Sequence, residues 1–203
     1  IRVAQFNAAL SRRDAGALVQ ELRLGGNEQL AAVAEIIQRV RPDVILLNEF
    51  DFDPAGLAVQ RFRDNYLAVP QNGQAPISYP HAFFATSNTG TQPESEGEPD
   101  CNFNDPSRGC DVPGDAGNDD PEDAFGFGEY PGAFAMVVLS RYPIAMDEVR
   151  TFRKFRWIDM PGNVLPTGYY QPDEQAIFRL SSKSHWDVPV VIGDETVHVL
   201  ASH

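Results

Sequence analysis

Arg41-Pro-Asp-Val-Ile-Leu-Leu-Asn-Glu-Phe-Asp51 is the stretch on which the fold turns. Proline cannot continue a helix, so Pro42 ends whatever helix precedes it. Val44 to Leu47 then form an unbroken apolar run, the pattern of a strand buried on both faces. Such a strand needs a covering layer on each side. The strand read over 43–49 ends on Asn48 and Glu49, which leaves a carboxylate at its C-terminal end. In layered α/β folds those strand ends face the crevice where ligands bind.

Working outward, Leu30, Val33, Ile37 and Val40 recur at helical spacing before Pro42, and Asn27 stands where an N-cap belongs. Before that, Arg2-Val-Ala-Gln-Phe-Asn7 alternates as a short strand. Strand, helix, strand in this order predicts a layered α/β core. Downstream, 55–68 reads as a weaker helix on Leu57, Phe62 and Leu67. Residues 133–140 read as a strand, and Tyr142-Pro143-Ile144 as a turn. Residues 177–180 and 188–192 also read as strands, and 196–202 pairs back through a Gly193-Asp194 turn. Between them, Ser87 to Gly128 nearly lacks aliphatic residues and is read as a polar insertion loop.

The 203 residues suit one domain, and 42% hydrophobic with 22% charged is an ordinary globular balance. No apolar run is long enough to span a bilayer. The chain opens on Ile1 with residues that already read as strand, so we expect a trimmed N-terminus and find no signal peptide. A net charge of -13 disfavours nonspecific binding of polyanions, although a basic patch or a bound divalent cation reverses the field locally. Cys101 and Cys110 lie close together in the polar loop. In an oxidising compartment they are expected to close a small ring, the other reading being two free thiols. Without a CxxC or a nearby histidine they do not suggest zinc.

Chemistry concentrates at the strand ends. Glu49 offers a carboxylate and Asn7 a neutral oxygen donor, the hard ligands that Mg²⁺ prefers. The plainer reading makes Asn7 a turn residue and Glu49 a solvated charge. His185 lies beside Lys183 and Trp186, and this trio either binds an anionic substrate or forms a surface turn. His81 reads as structural and His198 as a strand residue. Asp111, Asp115, Asp119, Asp120 and Asp123 lack the regular spacing of a Ca²⁺ loop and read as a solvated acidic segment.

Three motifs in order change the weighting. Ala4-Gln-Phe-Asn7, the 41–51 stretch, and Val138-Leu-Ser-Arg-Tyr-Pro-Ile144 together resemble the endonuclease/exonuclease/phosphatase (DNase I-like) family. Gly126-Phe-Gly-Glu-Tyr-Pro-Gly132 and Lys183-Ser-His-Trp-Asp187 resemble a bacterial branch of it. The resemblance implies an α/β (α+β) fold, a four-layer αββα sandwich, of which residues 1–203 would be the N-terminal part of a single domain and 87–128 an insertion. It implies in-line attack of water on a phosphate mono- or diester, assisted by Mg²⁺ or by Mn²⁺ or Ca²⁺. Glu49 would be a metal ligand and Asn7 a second metal-site residue. His203, delivered by Val199-Leu-Ala-Ser-His203, would contact the scissile phosphate. Arg141 would be a phosphate contact or a structural residue, and Lys183 and His185 stay candidate substrate contacts.

The resemblance also sets further expectations. The family's Gly-Asp-Phe-Asn and Ser-Asp-His segments do not occur in 1–203. A C-terminal half of the domain is therefore expected as a partner, in the same or a separate chain, to supply the general base and to cover an apolar face. The expected setting is secreted or periplasmic. The acidic balance tilts the substrate toward small or lipid phosphoesters. DNA, cut by an endo- or exonuclease of the same fold, is the alternative, and a non-catalytic Ca²⁺-binding or interaction module is a third reading.

Overall fold

The computed structural model describes residues 1–101, 103, 109, 110, 121 and 123–203, and its elements begin β1 (Val3–Leu10), α1 (Ala17–Leu24), α2 (Glu28–Val40) and β2 (Val44–Phe50). Asn27 caps α2: its side chain accepts the Leu30 amide at 3.1 Å. Arg41 leaves the helix in the left-handed region at φ 50°, and its N–H closes on the Ile37 carbonyl at 2.8 Å. Pro42 and Asp43 then carry the chain straight into β2. The helix α1 was not predicted. It rests on two buried leucines, Leu18 and Leu22, one turn apart, too few to stand out as a periodic stripe.

The chain continues with α3 (Leu57–Phe62), which runs into a π-helical turn over Arg63–Leu67, then β3 (His81–Phe83) and β4 (Met136–Ser140). It ends with β5 (Arg150–Thr151), α4 (Pro172–Ile177), β6 (His185–Ile192) and β7 (Glu195–Ser202). The strand expected over 177–180 is corrected to the end of α4 followed by a single bridge, Arg156 to Arg179. The physical reason is the capping box, in which Gln171 and Glu174 start a short helix behind Pro172. β6 and β7 pair along their whole length, from His185–Ser202 to Ile192–Glu195, across the turn at Gly193.

Two sheets result, ordered β1-β2-β4-β3 and β5-β6-β7. β1 and β2 are parallel, whereas β2 and β4 run antiparallel. Alternate residues of the central strands enter different cores. Ile45, Leu47, Val137 and Leu139 face α1, α2 and α3 with Leu18, Leu30 and Ile37. Val44, Leu46, Met136 and Val138 face the second sheet, where Trp186, Val188, Val190 and Ala201 meet them. This double burial is why β2 reads as an unbroken apolar run. The layers are helices, sheet, sheet. Residues 1–203 contribute strands to both sheets, and the inner faces of β2, β4 and β6 bury each other, whereas Val3 on β1 stays exposed. Among the described residues no helix is long and apolar enough to cross a membrane.

The insertion also departs from a solvated loop. Ser87, Asn88 and Thr89 are buried. Cys101 and Cys110 form a disulfide, and Phe103 and Phe125 pack with Ile177 and Phe178 into a small third core. Asp123 is buried, so the acidic reading fails there, whereas Asp111, Asp115, Asp119 and Asp120 lie outside the described residues.

One carboxylate ties this insertion down. Glu96 meets Arg153 at 2.6 Å and Lys154 and Arg179 at 2.7 Å, while the Arg179 guanidinium lies 3.6 Å from the centre of the Phe125 ring. Burial alone would raise the Glu96 carboxyl, but hydrogen bonds from Lys154, Arg179 and Arg153 outweigh it and hold it at about 2. A carboxyl depressed from 4.5 stabilises the fold above that value and loses its contribution as pH falls toward about 2. Glu96→Gln is therefore expected to be less stable at neutral pH and to lose less stability between pH 4.5 and 2. Denaturant midpoints measured across that window check this. Parallel losses in the two proteins would exclude Glu96 as the source.

Candidate active site at the strand ends

β1 and β2 pair in register from Val3–Val44 to Asn7–Asn48, after which the register shifts. Ala9, inside the shift, sits at φ 49°, and Glu49 across from it at φ 56°. Left-handed backbone costs a non-glycine residue about 1–2 kcal/mol, and such strain clusters at functional sites. Here it turns two side chains toward each other. The Ala9 amide donates to Asn7 Oδ1 at 3.1 Å, and Asn7 Nδ2 donates to Glu49 Oε1 at 2.8 Å.

The second sheet brings the third group. His203 follows β7, with Nε2 3.8 Å from Glu49 Oε1. Asn48, fully buried, fastens the junction: its Nδ2 donates to the Ser202 carbonyl at 3.2 Å and its Oδ1 accepts from Gln5 at 3.3 Å. Lys183 enters from the segment before β6. Burial lowers its pKa, and the Glu49 carboxylate opposes that shift. Burial likewise lowers His203, helped by the Lys183 cation and opposed by Glu49. Asn7, Glu49, Lys183 and His203 thus share one neighbourhood.

Sequence reasoning missed two supports. Asn48 carries no signal beyond ending an apolar run. Asp51 is buried beneath Glu49 and accepts four hydrogen bonds: Ser11 Oγ at 2.6 Å, the Arg12 amide at 2.7 Å, the Tyr130 hydroxyl at 2.7 Å and the Phe134 amide at 3.2 Å. It gathers the loops after β1 and before β4 around the site. Burial, with the Asp51 carboxylate beside it, pushes the Tyr130 hydroxyl well above its ordinary value, so Tyr130 remains a donor.

The other residues expected at the site fall elsewhere or at its margin. Arg141 pairs with Asp43 at 2.8 Å, at the far end of β2. Six strand steps, about 20 Å, separate that end from Glu49. Arg141 is therefore not part of the cluster, because β4 runs antiparallel and carries its C-terminal end away. His185 opens β6 opposite Ser202 and lines an apolar cleft of ≈ 330 Å³ with Phe152, Phe155 and Leu180. It is a strand residue, not a turn. His198 is 2.7 Å from Asp187 Oδ1 on the outer face of the second sheet, and His81 begins β3.

Among the described residues no three His, Cys, Asp or Glu side chains group in a way that would hold a metal alone. The Glu49 carboxylate nevertheless fits Mg²⁺, which takes one or two protein oxygens and fills its shell with water and substrate phosphate, and Asn7, whose Nδ2 faces that carboxylate, orients it.

Two packed sheets lie under a helical layer, and a carboxylate, an amide and an imidazole converge at their strand ends. Residues 4–193 match the model of the Endonuclease/Exonuclease/phosphatase family, and the chain belongs to that family. It is also similar to a solved structure of an endonuclease/exonuclease/phosphatase from Beutenbergia cavernae DSM 12333, at 20% identity and a TM-score of 0.43. That match takes in 100% of this chain and 38% of the other, so this chain spans well under half of that protein's length. Among curated proteins none matches.

Proposed function

We propose that the protein is a divalent-metal-dependent phosphoesterase that hydrolyses a phosphate mono- or diester by in-line attack of water. The observation that carries this is the joining of Glu49 to Asn7 at 2.8 Å and to His203 at 3.8 Å, across two sheets. Glu49 would hold Mg²⁺, or Mn²⁺ or Ca²⁺ in its place, and Asn7 would orient it, partly through water. When bound, the cation supplies charge neutralisation at the phosphoryl oxygens and a more acidic water. His203, kept neutral by burial and by Lys183, donates its N–H to a phosphoryl oxygen without adding to the cationic charge. Lys183 supplies positive charge as negative charge develops.

The net charge of -13 favours a small or lipid phosphoester over a nucleic acid. The disulfide fits a secreted or periplasmic setting. A panel of phosphomonoesters, phosphodiesters, phospholipids and plasmid DNA, assayed with the full-length protein, tests the reading. Hydrolysis is expected to stop on chelation and return with Mg²⁺, and His203→Ala is expected to lower kcat by about 10²–10³. Chelator-insensitive turnover, or a His203→Ala enzyme of normal rate, would overturn it. Plasmid nicking that falls steeply with salt would point to the nuclease instead.

A further inference from the structure

Lys183 stands at the site, yet among the described residues its ammonium has no hydrogen-bonded partner. A lysine carries about 2 kcal/mol of rotamer entropy, so a cation held this way depends on the backbone that presents it. That backbone, Ser181 to Ser184, is neither helix nor strand. It is gripped from the insertion. The Asn88 amide donates to the Lys183 carbonyl at 2.8 Å. Asn88 Nδ2 donates to the Ser181 carbonyl at 2.6 Å and to the Arg153 carbonyl at 2.8 Å. Its Oδ1 accepts from Arg179 at 2.6 Å, and the residue is 0% exposed. Both donors and the acceptor of the carboxamide are thus committed. Gly126 presses on the residue between: a Cβ there would lie 1.9 Å from the Ser182 carbonyl oxygen.

We infer that Asn88 is a positioning residue for Lys183, and that the insertion beginning at Ser87 is a brace that fixes this cation over the phosphate site. The inference rests on the phosphoesterase reading above and adds a role which that reading leaves empty. The brace is itself braced: Arg179, which Asn88 holds, is the arginine that pairs with Glu96 and covers Phe125. Ser181, Ser182 and Lys183 are therefore clamped by contacts that arrive from far along the chain.

A double-mutant cycle on kcat/KM in the full-length protein tests this. Lys183→Ala is expected to lower kcat/KM about 100-fold, mostly in kcat, because its charge acts on the transition state. Asn88→Ala is expected to lower it about 10-fold by misplacing the same cation. The double variant is expected to be no worse than Lys183→Ala, since a brace with nothing to hold has no further effect. A purely structural role would make the two losses multiply, and that result would overturn the proposal, as would a normal kcat/KM in Asn88→Ala. If Asn88→Ala folds poorly, Asn88→Ser displaces the same segment and enters the same cycle. A Lys183→Ala enzyme of full activity would remove the phosphoesterase role of Lys183 and the brace with it. A slow Lys183→Ala enzyme with independent Asn88 losses would remove the brace alone.

Discussion

Glu49→Gln is expected to lower kcat by about 10²–10³ and to weaken Mg²⁺ binding by at least about tenfold while the fold stays intact. Glutamine matches glutamate in shape and keeps an oxygen to accept the 2.8 Å hydrogen bond from Asn7. What it lacks is the charge. A neutral amide attracts a divalent cation far less than a carboxylate does. Glu49 is not a core residue, and the weight of the surrounding structure is borne by Asn48 and Asp51. Melting temperature should therefore change little. Calorimetric titration with Mg²⁺, steady-state kinetics and a thermal melt, each compared with the parent, give the answer. A kcat within twofold of the parent would sink the assignment of Glu49.

A large effect on stability is expected at Gly90, where an added methyl group meets backbone. Gly90 lies at φ +64°, and a Cβ there would fall 2.0 Å from the Tyr130 carbonyl oxygen, 2.2 Å from its carbon and 2.8 Å from Pro131 N. No side-chain rotation relieves contacts of that kind. The segment that would have to yield carries the Tyr130 hydroxyl that donates to Asp51, so strain would spread beneath the site. Gly90→Ala is expected to cost about 3 kcal/mol or more, and to lower Tm by roughly 6–12 °C. Gly162→Ala is the control. Its φ of +70° carries the same backbone cost, but nothing lies within 4 Å of the added methyl. Only about 1 kcal/mol is expected there. Equal melting temperatures for the two variants would refute the close approach at Gly90.

What the sequence reveals, and what it hides, follows from the range of the interactions. The strand over 44–50 is legible because Pro42 and the apolar run are local. Asn27 is legible as a cap for the same reason. Glu49 and Asn7 are legible as strand ends, and the family motifs carry His203 to the same edge. Arg141 is misplaced because strand direction is not written in the residues themselves. Only the pairing of Val44 with Ser140 shows that this arginine leaves the sheet at the wrong end. The packing of the insertion is hidden for a related reason. Asn88 and Glu96 look like solvent-loving residues until partners more than fifty positions away, Arg153 and Arg179, are brought to them. Burial of a polar side chain depends on its partners, and hydropathy carries no record of them.

The bond from Asn48 to the Ser202 carbonyl spans 154 positions of the chain. Contacts that distant form late and make folding slow. A ribosome extending the chain at about 5–20 residues per second needs roughly 8–30 s to pass from the first of these residues to the second. By its end the nascent chain holds Asn7 and Glu49 within the first sheet, but not yet the imidazole. Under the proposed mechanism the growing polypeptide is chemically silent. Hydrolytic competence cannot precede the emergence of β7, a restraint set by the order in which the strands are made.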